Sequence, residues 1–234
     1  MDKNRIVAAA IVAAGIVTFG VLLKCALDHF TDRDRCVTVK GLSVKEFPAD
    51  KVVCPLVFKE IGDNLQDLYT NINAKNKIIT DFVESYGIAA SDISIAAPEI
   101  VDLQAERYLS ERPPYRYNVT SVVTISSSDV DKVKHLMAQQ SELLKKGVAL
   151  VAGDYRYNVT YDFTGLNDVK PAMIEEATKN ARAAAEKFAA DSDSKLGRIR
   201  RASQGQCSIT DRDANTPDIK TVRVVTTVEY YLED

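Results

Sequence analysis

The sequence predicts an α+β protein in which one N-terminal transmembrane helix is followed by a mixed, largely antiparallel sheet packed with about three helices. Three observations carry this. Residues Ile6 to Leu23 run without a charge, strand-like segments alternate with turn-rich stretches, and three longer segments each combine a helix start, an apolar stripe and a stop. With 234 residues, 46% of them hydrophobic, the chain is long enough to bury a core.

The first element is the apolar run. As a helix it spans about 27 Å, enough to cross a hydrocarbon core, and Lys3 and Arg5 precede it. A cleaved signal peptide is the competing reading, although Lys24 stands directly before Cys25 and no A-x-A pattern closes the run. The expected layout is a signal anchor over residues 1–24, a polar stalk over 25–35 and an α+β domain over 36–234. Only five residues precede the run, so a signal anchor places the domain on the extracytoplasmic, periplasmic side of a single-pass span; cleavage would instead export it.

Strands are expected first at Cys36 to Gly41 and Lys51 to Lys59, joined as a hairpin through Phe47-Pro48-Ala49-Asp50, with Pro55 marking an edge or a bulge. Asp63 and Gln66 then form a variant capping box for a helix whose apolar face is Leu65, Leu68, Ile72, Ile79, Phe82 and Tyr86, and Gly87 stops it. Strands follow at Asp92 to Val101 and Tyr115 to Ser126, on either side of a stiff loop with Glu111-Arg112-Pro113-Pro114. Ser128 and Asp131 cap the next helix, with Val130, Val133, Met137 and Leu144 inward and Gly147 as its stop. A strand region over Val148 to Phe163 kinks at Gly153 and Asp154. The third helix, Asp168 to Ala190, tolerates Pro171 in its first turn and buries Ile174, Ala177, Ala181, Ala184, Ala185 and Phe188, a stripe small enough for close packing on a sheet. Strands Gly197 to Ser203 and Thr221 to Leu232 flank a loop with Cys207 and Pro217.

Candidate chemistry is sparse. The net charge of −3 offers no field for a phosphate backbone, so nucleic acid is excluded as a first expectation. Four cysteines without a C-x-x-C pair, and two histidines, argue against structural zinc. His29 falls in the stalk and His135 on the polar side of a helix, and neither phosphate-binding glycine loops nor G-x-S-x-G occur. Glu175 and Glu176 are adjacent helical positions and diverge. Lys195, Arg198, Arg200 and Arg201 form the densest basic run, either a protected edge strand or a patch for anionic lipid, with Arg198 and Arg200 on one face. Export permits disulfides, but Cys36, Cys54 and Cys207 cannot all pair within one chain without Cys25, so at least one thiol, Cys25 first, is expected to be left over or bonded to another subunit. The hexapeptide at Tyr115 to Thr120 recurs letter for letter at Tyr155 to Thr160, each copy in an expected strand, which points to a duplicated strand-helix unit or to a paired aromatic assembly face of Tyr115, Tyr117, Tyr155 and Tyr157. The bland reading is that two strands share one β-friendly alternation; Asn-Val-Thr in each copy is a glycosylation acceptor only in a eukaryotic secretory pathway.

Several local patterns, read in order, resemble the SIMPL-domain (DUF541) family of mostly bacterial exported proteins. Val39-Lys40-Gly41 leading to Pro48-Ala49-Asp50 is similar to its opening strand and acidic turn. Tyr86-Gly87-Ile88 through Asp92-Ile93 is similar to a helix end and the strand after it, and Tyr117-Asn118-Val119-Thr120 through Val123-Thr124-Ile125 to the next strand. Glu176-Ala177 through Asn180-Ala181-Arg182-Ala183-Ala184-Ala185 to Phe188-Ala189, then Leu196-Gly197-Arg198-Ile199, resembles the family's alanine-rich helix and its exit. Asp191-Ser192-Asp193-Ser194 stands where the family has a glycine, and the Pro113-Pro114 loop lacks a longer tyrosine-rich insertion. The resemblance implies an extracytoplasmic α+β protein, with relatives linked to oxidative-stress defence or the cell envelope and a tendency to ring-like self-assembly; it brings no catalytic residue and no cofactor. The expectation is therefore a membrane-anchored protein that is not an enzyme and acts as a homo-oligomer or through an envelope protein partner. The alternatives are a small-molecule or lipid-binding module and a hydrolase with a non-standard site.

Overall fold

A computed structural model describes residues 11–24, 35–105, 113–151 and 155–233 of the chain. Lys3, Arg5, residues 25–34 of the stalk with Cys25 and His29, Glu111-Arg112 and Gly153-Asp154 lie outside the described residues. The architecture is α+β with antiparallel sheet pairings. The first described helix, α1, covers residues 11–24. Among the described residues no helix is long and apolar enough to cross a membrane. The expected span, residues 6–23, begins outside them.

The rest divides into two compact units whose segments interleave along the chain. The first gathers residues up to Lys45, Asp168–Ser208 and those from Val222; the second gathers Glu46–Asn167 and Ile209–Thr221. The strands are β1 (Cys36–Pro48), β2 (Lys51–Gly62), β3 (Ile93–Ile95), β4 (Glu99–Asp102), β5 (Tyr117–Ser127), β6 (Thr160–Asp162), β7 (Lys195–Asp211) and β8 (Ile219–Glu233). The helices after α1 are α2 (Leu65–Ser85), α3 (Val130–Ala138), α4 (Ser141–Lys145) and α5 (Leu166–Asp191).

The three-stranded sheet of the first unit runs in the order β1-β8-β7. Burial alternates along β1 and β8, with Val39, Gly41 and Ser43 buried on one and Val222, Val224, Val228 and Tyr230 on the other. That face meets α5 through a stripe at every fourth residue, Met173, Ala177, Ala181, Ala185 and Ala189. The approach is unusually close: a Cβ added to Gly41 would lie 1.7 Å from the Ala177 carbonyl oxygen. Asn180 Nδ2 locks the crossing by donating to the Leu42 carbonyl at 2.8 Å. Phe188, expected inside, is 59% exposed, because the four-residue stripe of a straight helix passes through Ala185 and Ala189 instead. Pro171 falls in the second turn, since α5 starts at Leu166 rather than Asp168.

In the second unit β5 and β2 are central in the order β3-β5-β2-β6, with β4 also paired to β5. The β2–β5 register is unbroken from Val52↔Ser127 to Gly62↔Tyr117, so Pro55 makes no bulge; β6 pairs only with Lys51–Val53 and leaves the other side of β2 without that partner at Pro55. Val52, Cys54, Leu56 and Phe58 of β2 and Val119, Val123 and Ile125 of β5 meet Leu68, Ile72, Ile79, Phe82 and Val83 of α2 in one core, joined by Val133, Leu136 and Leu143. Within it, Ser121 donates to Asn76 Oδ1 at 3.0 Å, which satisfies two buried polar groups at once.

Several local expectations are corrected. β1 and β2 do not form a hairpin. Pro48 offers no amide, Ala49 donates to the Asp218 carbonyl and Asp50 to the Asp162 carbonyl, so two successive residues hand the chain from one sheet to the other. The caps lie one residue from their expected positions: Asn64 accepts the Gln66 amide while Asp63 accepts that of Arg116, and Asp129, not Ser128, accepts from Lys132. The second helical region breaks at Gln139-Gln140 into α3 and α4, where amides bond three residues back. Leu143, seven residues after the buried Leu136, is buried instead of the expected Leu144, which is 61% exposed. Gly87 and Gly147 do stop their helices, at φ of +79° and +83°. The strand expected over Asp92 to Val101 is two short ones interrupted at Ala96-Ala97-Pro98, and that over Val148 to Phe163 reduces to β6 and a bridge at Leu150. Cys207 sits inside β7, which extends to Asp211, and not in a loop.

Candidate interaction site

In a strand, alternate residues face opposite sides, so a sheet that commits one face to the core leaves a second face to be accounted for. In the second unit that second face carries Val53, Pro55 and Val57 of β2 and Thr120, Val122 and Thr124 of β5. A groove of about 410 Å³ lies on it. Its floor is Val53, Pro55 and Val122, edged by the hydroxyl-bearing Thr120 and Thr124. The β3–β4 link forms one wall, held down where the Ala96 amide donates to the Val122 carbonyl at 3.1 Å. A 3-10 turn at Tyr155–Tyr157 supplies the other wall. There Arg156 places its guanidinium 5.3 Å from the Tyr157 ring centre and 3.7 Å from Glu99. An apolar floor with hydroxyls and one ion pair at the rim suits an apolar molecule or an extended peptide with few charges.

The repeated hexapeptide is thus placed in two different conformations. Tyr117 to Thr120 belong to β5, whereas Tyr155 to Tyr157 form the 3-10 turn, so the first copy is strand over four of its six residues and the second only at Thr160. Tyr117 packs against the core, with Arg116 stacked 5.0 Å from its ring centre, while Tyr157 lines the groove on the other face of the same sheet. Tyr115 and Tyr155 are 44% and 84% exposed. The four tyrosines do not share one face. Sequence reading missed the groove's own residues, Glu99 and Arg156 among them; the one available signal was Arg156 inside the repeat.

Several titratable groups elsewhere are engaged in local contacts. His135 is exposed, with its ring 5.8 Å from that of Tyr86. Glu175 bonds Lys179 and Glu176 bonds Lys45, so the two carboxylates diverge. Cys36, Cys54 and Cys207 are free thiols, and burial pushes the Cys54 thiol up to about 11. Among the described residues no three His, Cys, Asp or Glu side chains are grouped to hold a metal ion. Asp50 is desolvated, which alone would raise its pKa, yet the amides of Thr164 and Gly165 both donate to its carboxylate and hold it below the usual range.

The positions that punctuate this architecture are Gly41, Asp50, Gly87 and the α5 alanines. Residues 37–230 match the family described as SIMPL, protein of unknown function (DUF541). The chain belongs to the SIMPL family. A comparison with curated proteins gave no match. In this SIMPL domain Gly41 and the alanines permit the β1–α5 contact, Asp50 ties down the loop leading into α5, and Asp193 takes the turn after α5 at φ +52°. The match begins at residue 37, after α1.

Proposed function

We propose that this SIMPL protein is anchored to a membrane through residues 6–23, holds its domain on the extracytoplasmic side, and acts by self-association or by binding an envelope protein partner rather than by catalysis. The observation that carries the reading is β7, a seventeen-residue edge strand exposed along most of its length. An open edge presents main-chain donors and acceptors that a second strand satisfies, and a common membrane plane raises the effective concentration of copies. Anchoring is supported by α1: Ile11, Val12, Ile16, Val17 and Phe19 are each more than 60% exposed, an arrangement that water penalises and lipid does not. A part in oxidative-stress defence would follow from the partner held. Light scattering of the detergent-extracted chain is expected to give a discrete oligomer, and a strictly monomeric mass across a wide concentration range excludes self-association. The groove above β2 and β5 favours a second reading, a small-molecule or lipid-binding module, to which a monomeric result would give precedence.

A further inference from the structure

Among the described residues α5 covers only one face of the first unit's sheet, and the other face has an uneven charge. α5 packs the side of Val39, Gly41, Val228 and Tyr230. By the alternation of β1 and β8, Lys40, Leu42 and Val44 lie on the opposite side with Arg223, Glu229 and Tyr231. Arg198 and Arg200 of β7 join them, each guanidinium 5.9 Å from the Tyr231 ring centre. Arg200 also bonds Glu229 at 3.3 Å, which fixes its orientation. Four cations, Lys40, Arg198, Arg200 and Arg223, therefore stand with Glu229 and Glu233, and Glu46 farther along β1 is paired with Arg212, on a chain whose net charge is −3. Leu42 and Val44, 42% and 48% exposed, add an apolar element beside them.

The location of this face matters as much as its charge. The Leu232 amide donates to the Arg35 carbonyl at 3.0 Å, so the chain enters the sheet at the end where Arg198 and Arg200 lie. Ten residues, 25–34, separate α1 from Arg35, and even fully extended they reach only about 35 Å. We propose that the uncovered face, through Lys40, Arg198, Arg200 and Arg223 beside Leu42 and Val44, docks onto the anionic phospholipid headgroups of the membrane that holds the chain. Planar guanidinium groups already stacked on an aromatic ring meet phosphate oxygens in pairs without further ordering. Each basic residue near an anionic surface strengthens the contact roughly fivefold, and the short tether keeps the surface within reach. The inference rests on the anchored reading above and adds to it a lipid preference and an orientation.

The chain contains no tryptophan, so Val44→Trp in the full chain reports alone. The protein is placed in bilayers of phosphatidylcholine, with or without phosphatidylglycerol at roughly one lipid in three, that carry a headgroup-level quencher. Flotation with the bilayer measures anchoring separately. Docking predicts at least about twofold quenching at position 44 in the anionic bilayers only, reversed by about 0.5 M salt. The quenching is lost in the Lys40→Gln/Arg223→Gln background and is absent from Phe188→Trp on the α5 side. Equal signals in the two bilayers, or equal signals at 44 and 188, overturn docking while leaving anchoring intact. A change at position 44 produced by inorganic phosphate in phosphatidylcholine bilayers overturns it in favour of a soluble anion site. Failure to float overturns the anchored reading itself.

Discussion

Asp193 occupies a backbone region that side chains resist, at φ +52°, where the amide of Ser194 turns back to the Ala189 carbonyl at 2.9 Å. Glycine relieves the Cβ crowding there, so Asp193→Gly is expected to stabilise the protein by roughly 0.5–1 kcal/mol, measured by urea unfolding, and Asp193→Val to destabilise it. Asp50 gives a pH-dependent prediction. Its folded pKa is depressed, so its contribution is present above the unfolded value near 4 and is lost as pH falls through the folded one. Asp50→Asn should therefore be less stable than wild type at pH 7, with the gap closing in acid; a gap that is constant with pH would mean that the charge is immaterial. Both residues were visible in the sequence as members of a motif or departures from one. Their roles were not, because a tertiary acceptor for two amides leaves no periodic signal. The helix caps show the same limit, since neighbouring Asp63 and Asn64 both offer a suitable oxygen and only the path of the chain decides between them.

For the elements, α5 was the most legible, since repeated alanines at helical spacing mark a helix that approaches its support closely. Ala181 has no exposed surface, so Ala181→Leu should cost on the order of 1–3 kcal/mol by overpacking, while the exposed Lys179→Leu should be nearly neutral in the same melting experiment. Gly41→Ala should be harsher, roughly 3 kcal/mol or more, because its Cβ meets backbone rather than a side chain that can rotate aside. Equal tolerance at 41 and 42 would refute the close crossing. The break between α3 and α4 was not legible, because Gln139 and Gln140 are good helix formers and nothing local marks an interruption there. Strand β7 was read as seven residues and extends to seventeen, because its polar second half lacks alternation and is held by its neighbour β8.

Over the whole molecule, the α+β class was readable and the interleaving of two units was not. Local patterns encode strands but not their partners, and the turn chemistry of Phe47 to Asp50 suits a hairpin and a change of sheet equally well. The anchored arrangement makes its own prediction. After carbonate washing the intact chain should remain in the membrane pellet, and protease added outside the cytoplasmic membrane should digest the region beyond residue 36. Soluble protein with a mature start near residue 25 would contradict it. The groove beside Tyr157 went unseen for the same reason as the interleaving, since its walls come from β2, β5, the β3–β4 link and a turn that the repeat suggested would be a strand.

The pairing of β1 with β8 also sets an order of events during synthesis. Cys36 and Glu229, in contact through thiol and carboxylate, are 193 residues apart. β1 is made before every other named strand, and its neighbour is made last, so the first unit's sheet cannot close until nearly the whole chain has emerged. The core of β2, β5 and α2 draws on a shorter stretch and is free to assemble sooner. Until β8 arrives, Val37 and Val39 lack Val228 and Tyr230 among the partners that will bury them, and a ribosome halted anywhere before residue 219 leaves β1 without its neighbouring strand.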